Sequence, residues 1–188
     1  MKDALTLLFT ALKKGLIEQP EYFERFRFHF IGTSYAPNGQ GVETIKPIAN
    51  EMGVGEYVHE QTDRISFYQS IYTLITADAL MILGSDDPQY TASKIYPYIL
   101  AERPLLAFFH PESSAALIIK TCTDGTVISL IDPKDVAIET IVKCLLNTLH
   151  NSVLPPKINW GVFEAFSAEN MCKNQCELFN QVINHECI

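Results

Sequence analysis

Two five-residue runs, Ala79-Leu80-Met81-Ile82-Leu83 and Leu105-Leu106-Ala107-Phe108-Phe109, carry no polar side chain. They constrain the fold more than any other feature. A strand with one wet face alternates apolar and polar residues, whereas a run apolar at every position needs cover on both faces. Strands of that kind belong to parallel sheets flanked by helices, and the segments around these two have helical period.

Read outward from them, the chain predicts strands over 26–31, 56–59, 79–83, 105–109 and 126–131. A helix over 3–14 presents Leu5, Leu8, Phe9 and Leu12 on one face. Val42, Ile45, Ala49 and Met52 share a face of a second helix, closed by Gly53. Ser66 and Gln69 form a capping box for a third, running to about Thr76. Ser93 caps a fourth that ends before Pro104, and Ser113 or Ser114 opens a fifth through Lys120. Asp132-Pro133 starts the last, with Ile138, Ile141, Val142, Leu145 and Leu149 on one face. The expected fold is α/β: a Rossmann-like three-layer domain over 1–150, with a mostly parallel sheet of about five or six strands. Residues 151–157, with two prolines, read as a linker. Residues 163–183 read as a long C-terminal helix that packs elsewhere.

Composition narrows the function classes. With 47% apolar and 19% charged residues, the 188-residue chain can build an ordinary core. A formal charge of -8 disfavours nucleic acid, whose phosphates it would repel. Five cysteines without a C-x-x-C suit free thiols in a reducing compartment. Lys2 and Asp3 lead into an amphipathic stretch rather than a secretory leader, and no apolar run is of membrane-spanning length. Together these features point to the cytoplasm.

Chemistry is expected at the carboxyl ends of the strands, where open α/β sheets bind ligands. The loop 32–41 follows a strand and precedes a helix, so its amides can face an anion or a sugar, or it is an ordinary loop of turn residues. Asp86 and Asp87, after the strand 79–83, can accept bonds from sugar hydroxyls, hold a metal, or sit in a solvated turn. Ser93 and Lys94 suit a phosphate at a helix start, or are a cap and a surface lysine. In His110-Pro111-Glu112-Ser113-Ser114-Ala115 the helix start can hold a pyrophosphate, and His110 either acts on a substrate or is structural. Tyr90, Tyr96 and Tyr98 can stack on a base or sugar, or simply pack. Cys172 and Cys176, one turn apart, read as thiols, since His185 alone would complete no metal site. No Ser-His-Asp, Cys-His or zinc arrangement is evident.

The segment Ala77-Asp78-Ala79-Leu80-Met81-Ile82-Leu83-Gly84-Ser85-Asp86-Asp87, followed by Ser93-Lys94-Ile95-Tyr96-Pro97-Tyr98 and Arg103-Pro104-Leu105-Leu106-Ala107, resembles the donor-binding domain of GT-B glycosyltransferases, most nearly the family-4 group. Phe28-His29-Phe30-Ile31-Gly32-Thr33 resembles that domain's first strand, and Phe166-Ser167-Ala168-Glu169-Asn170 its last helix, which crosses back to the N-terminal domain.

The resemblance implies half of a hexosyltransferase of polysaccharide biosynthesis, moving a sugar from a nucleotide diphosphate-sugar to an acceptor hydroxyl without a metal or other cofactor. Ser113, Ser114 and Ala115 would bind the diphosphate through N–H groups, Ser93 and Lys94 would shape the donor site, and Arg64 and Ile65 would line the base. Gly32 and Thr33 would lie under the interdomain cleft. No catalytic residue is assigned. The acceptor domain would come in cis or trans and could bring peripheral membrane contact; the chain alone would be inactive.

Two departures stand out. Pro97 occupies the position of the family's ribose-binding Glu, with Gln89 at that of its partner acid. This removes a charge-assisted bond of about 1.5–3 kcal/mol and is tolerable only in a helix's first turn. Glu102 replaces a usual Gly, which suggests a different helix ending. The alternatives are a degenerate, non-catalytic interaction domain, or another sugar-nucleotide enzyme such as an epimerase.

Overall fold

The structure is a computed structural model that describes residues 2–150 and 155–183. In chain order its elements are α1 (Lys2–Glu18), α2 (Pro20–Phe23), β1 (Phe28–Ile31), α3 (Lys46–Glu51), a 3-10 turn (Gly55–Tyr57), β2 (Val58–Gln61), α4 (Phe67–Thr76) and β3 (Leu80–Leu83). There follow α5 (Ile95–Leu100), β4 (Leu105–Phe109), α6 (Ser114–Cys122), β5 (Thr126–Ser129), α7 (Lys134–His150), α8 (Trp160–Phe163), a second 3-10 turn (Glu164–Phe166) and α9 (Ala168–Ile183). The chain is α/β and its strand pairs are parallel. Among the described residues the strands form a pair, β1-β2, and a triple, β3-β4-β5, rather than one hydrogen-bonded sheet of five or six.

β4 explains the architecture. All five of its residues are buried, as the uninterrupted apolar run requires. Leu106 and Phe108 join a core with α1, α3, α7 and both strands of the pair. Leu105, Ala107 and Phe109 join another with α5 and α6. The triple is therefore sandwiched between two helical layers. The pair is backed by α1 and α3 on the face of Phe30 and Val58, and its other face carries the exposed His29 and His59. The predicted faces of α1 and α7 pack on each other through Leu5, Leu8, Phe9 and Leu12 against Ile141, Val142 and Leu145. Each such side chain contributes about 1.5–3 kcal/mol on full burial.

Several boundaries move for identifiable reasons. The helix expected over 42–52 begins only at Lys46: Val42 is exposed, and the amides of Thr44, Ile45 and Lys46 are held by Glu60. The strand expected over 56–59 lies over 58–61, because a 3-10 turn takes up Gly55–Tyr57. Ser93 does not cap α5; Lys94 occupies the cap position in helical conformation without a side-chain bond. Ser66, by contrast, makes both bonds of its box with Gln69.

Pro97 is the third residue of α5, within the first turn, where its missing N–H costs nothing. Glu102 adopts φ +53, the left-handed conformation that a Gly would take at this helix end. The departure from Gly thus changes the residue and leaves the helix ending of that type.

The helix expected over 163–183 is interrupted. Ser167 is extended (ψ 151) and its Oγ accepts from the Asn170 amide at 3.2 Å, opening α9. Of the linker, 151–154 lie outside the described residues, as do His185 and Cys187. The remainder folds back on the end of α6: the Asp124 amide donates to the Lys157 carbonyl at 3.1 Å and the Asn159 amide to the Cys122 carbonyl at 2.8 Å. Phe163 then packs with Ile99 and Cys122. Every residue of α9 except the half-buried Asn170 is exposed, including Met171, Leu178, Phe179, Val182 and Ile183. No helix among the described residues is long and apolar enough to cross a membrane.

Candidate functional site

The carboxyl ends of the strands carry the loops on which chemistry was expected, and the chain treats them differently. Gly32 leaves β1 with φ +71 and donates to the Gln61 carbonyl at 2.8 Å, with Thr33 reaching the same oxygen at 3.5 Å. The Ser34 amide donates to the Thr62 carbonyl, the Ala36 amide to Ser34 Oγ, and the Gly39 amide to Asp63 Oδ1 at 2.9 Å. The amides proposed to face an anion are thus largely spent inside the protein. Arg64 lies with its guanidinium 4.1 Å from the Tyr35 ring centre, a cation–π contact beside Gly32. Ile65 follows, half-buried.

Glu60 closes this end to anions. It is 6% exposed, and it accepts from Thr33 Oγ1 at 2.7 Å, the Thr44 amide at 3.1 Å, the Ile45 amide at 2.8 Å and the Lys46 amide at 2.7 Å. Burial pushes its carboxyl up, but the bonds from these amides and from the Thr33 hydroxyl prevail and hold it below the usual carboxylate range. Lys46 Nζ donates to the carbonyls of Gly55 and Val58, bracing the turn that leads into β2. One carboxylate therefore fixes Thr33 and the start of α3 together. Nothing in the sequence singled it out: an isolated Glu beyond a short apolar run looks like a surface residue.

The triple offers a different surface. Gly84 ends β3 so close to β4 that a Cβ there would stand 2.2 Å from the Phe109 ring and 2.4 Å from the Phe108 carbonyl. The His110 amide donates to the Ser85 carbonyl at 2.9 Å, joining the two loops. Asp87 is exposed, its Oδ1 accepting from the Gln89 amide at 2.8 Å in a local turn. Asp86 is exposed. His110 is part of the scaffold: its Nδ1 accepts from the Glu112 amide at 3.2 Å. Ser113, fully buried, donates to the His110 carbonyl at 2.9 Å and accepts from the Ala116 amide at 3.2 Å, capping α6.

Two amides remain at that helix start. Among the described residues, neither Ser114 nor Ala115 donates its N–H to a protein acceptor. Ser114 is exposed, whereas Ala115 is fully buried. Such unpaired amides carry the positive end of the helix dipole, and an anion satisfies both demands. α5 packs beside α6 and starts at the same end of the triple, so the exposed Ser93 and Lys94 stand at that end too, with Pro97 half-buried behind them. Tyr96 is taken up by Phe163 and Phe166 and Tyr98 by burial, which pushes its phenol up. Of the three tyrosines, Tyr90 stays exposed, beside Phe109.

A groove of about 310 Å³ lies at the far end of α6, lined by Thr121, Cys122, Thr123, Asp124, Lys157, Ile158 and Asn159. Its lysine and aspartate offset one another, so it has no preference for an anion. No group of three or more His, Cys, Asp or Glu able to hold a metal occurs among the described residues. No family model, curated protein or solved structure matches this chain.

Proposed function

We propose that this chain is the nucleotide-sugar-binding half of a GT-B-type glycosyltransferase. The diphosphate rests on the amides of Ser114 and Ala115 with Lys94 alongside, and a hexosyl group is delivered to an acceptor hydroxyl held by a second domain in cis or trans. The observation that carries the reading is the pair of unspent amides at the start of α6, set beyond the fully buried β4. Charge building on the departing diphosphate is stabilised by fixed N–H dipoles and a lysine, without a general acid from this half.

Topology supports the location. The β1-to-β2 crossover packs α3 on the face of α1 and α7, whereas the β3-to-β4 and β4-to-β5 crossovers pack α5 and α6 on the opposite face. Parallel crossovers are right-handed, so the pair and the triple wind in opposite directions. β1 and β3 then begin the two halves of a doubly wound fold, and ligands of such folds lie at that reversal, outside the strand ends. Joined edge to edge, the two groups would form the three-layer, Rossmann-like sheet.

The test is a thermal melt with UDP-, GDP- and ADP-sugars at millimolar concentration. A ligand at a hundred times its Kd stabilises the folded state by about 2.7 kcal/mol, or roughly 5–10 °C for a chain of this size. Ser114→Pro should abolish that shift and leave the unliganded midpoint unchanged. Proline is favoured at the first helical position, and Ser113 is already extended (φ -67, ψ 148), as a residue before proline must be. No shift with any of the three nucleotide-sugars refutes the reading.

A second reading, an interaction domain that kept the fold and lost the ligand, draws on Pro97 and Gln89, which leave the ribose without its carboxylate. It predicts no shift and a stable protein complex in a pull-down.

A further inference from the structure

The face of the β1-β2 pair turned away from α1 and α3 carries two histidines in register, His29 on β1 opposite His59 on β2. Both are exposed, and their ring centres stand 5.5 Å apart at an interplanar angle of 57°. Neither takes part in the donor site, and nothing in the fold requires an imidazole at either position. We propose that His29 and His59 form a two-imidazole site for a divalent transition-metal ion of borderline softness, Zn²⁺, Ni²⁺ or Cu²⁺, with water in the remaining coordination positions.

The spacing supports one shared ion. With a metal–nitrogen bond of about 2.0–2.1 Å and about 1.1–1.2 Å from nitrogen to ring centre, each ring centre lies about 3.2 Å from the ion. Two such rings held at about 110–120° around a single ion put their centres about 5.2–5.5 Å apart. The observed separation falls in that range without movement of either strand. Imidazole suits these ions, whereas Mg²⁺ and Ca²⁺ prefer oxygen. The parallel ladder holds the two rings side by side, so binding by the second becomes intramolecular once the first has engaged. The site lies on the pair's open face and stands or falls independently of the donor reading.

The experiment is calorimetric titration with Zn²⁺ and Cu²⁺ of the untagged full chain in which Cys172, Cys176 and Cys187 are replaced by Ser to remove competing thiols, compared with the same chain carrying His29→Gln or His59→Gln. One ion per chain should bind, and each substitution should weaken binding by roughly 100-fold, the order of the chelate advantage lost. The unliganded melting midpoint should not change, since both side chains are exposed. Electron paramagnetic resonance of that cysteine-replaced chain with one equivalent of Cu²⁺, which leaves both histidines in place and no exposed thiol among the described residues to reduce the ion, should show two equatorial nitrogen ligands. Absence of stoichiometric binding, binding unaffected by either substitution, or a Cu²⁺ spectrum with fewer than two nitrogens overturns the assignment.

Discussion

Replacing Glu60 by Gln keeps the side-chain volume and one acceptor oxygen, and removes the charge on which the loop 33–46 converges. In the native protein Oε2 accepts from Ile45 and Lys46 at 2.8 and 2.7 Å, and Oε1 from Thr33 at 2.7 Å. A bond to a charged group contributes about 1.5–3 kcal/mol and a neutral one about 0.5–1.5, so the two short amide bonds lose about 1 kcal/mol each. If the remaining oxygen stays on those amides, the new NH₂ faces the Thr44 amide and the Thr33 hydroxyl. The hydroxyl can reverse its bond. The amide cannot, though Thr44 is exposed enough for water to take part of the loss.

The net expectation is a loss of about 2–3 kcal/mol, or roughly 5–10 °C in the melting midpoint at pH 7. The sign of the pH dependence follows from the lowered carboxyl. A group titrating lower in the folded than in the unfolded state stabilises the fold above its unfolded value, near pH 4.5, and that contribution disappears as pH falls through the folded value. The native chain should therefore lose stability below about pH 4.5, and Glu60→Gln should lack that component of acid sensitivity. Thermal melts of both chains at pH 7 and pH 4 measure the difference. A variant that melts with the native chain at pH 7, or that keeps the full acid sensitivity, would show that Glu60 does not hold the loop.

Two further substitutions test neighbouring parts of the account. Glu102→Gly should stabilise the chain by about 0.5–1 kcal/mol, because relief of about 1–2 kcal/mol at a left-handed position outweighs the added freedom of the unfolded chain; a melt of Glu102→Ala, expected to show no such gain, is the control. Gly84→Ala should destabilise by about 2 kcal/mol or more, since the new methyl meets the Phe109 ring and the Phe108 carbonyl and backbone cannot move aside as a flexible side chain would; urea unfolding measures it.

The parts of the fold written in short-range pattern were legible in the sequence. β4 follows from five apolar residues in a row, α4 from Ser66 and Gln69, and the close of α3 from Gly53, which takes φ +79. What escaped depends on contacts between distant segments. The periodicity of Val42, Ile45, Ala49 and Met52 favoured a longer helix. Its start is set by a carboxylate that reaches it only when β1 and β2 pair in register. The site was legible to the same degree. Ser113 as a cap follows from its type and position. That His110 and Ser113 consume two donors and leave Ser114 and Ala115 unpaired is a matter of three-dimensional arrangement.

The most direct measurement is a ¹H–¹⁵N titration of the full chain with UDP, GDP and ADP, following individual amides. Ser114 and Ala115 should show the largest downfield shifts, saturate together with one of the three, and move far more than Thr44, Ile45 and Lys46, whose N–H groups Glu60 already holds. Unmoved Ser114 and Ala115 amides, or shifts centred on the groove at the far end of α6, would contradict it.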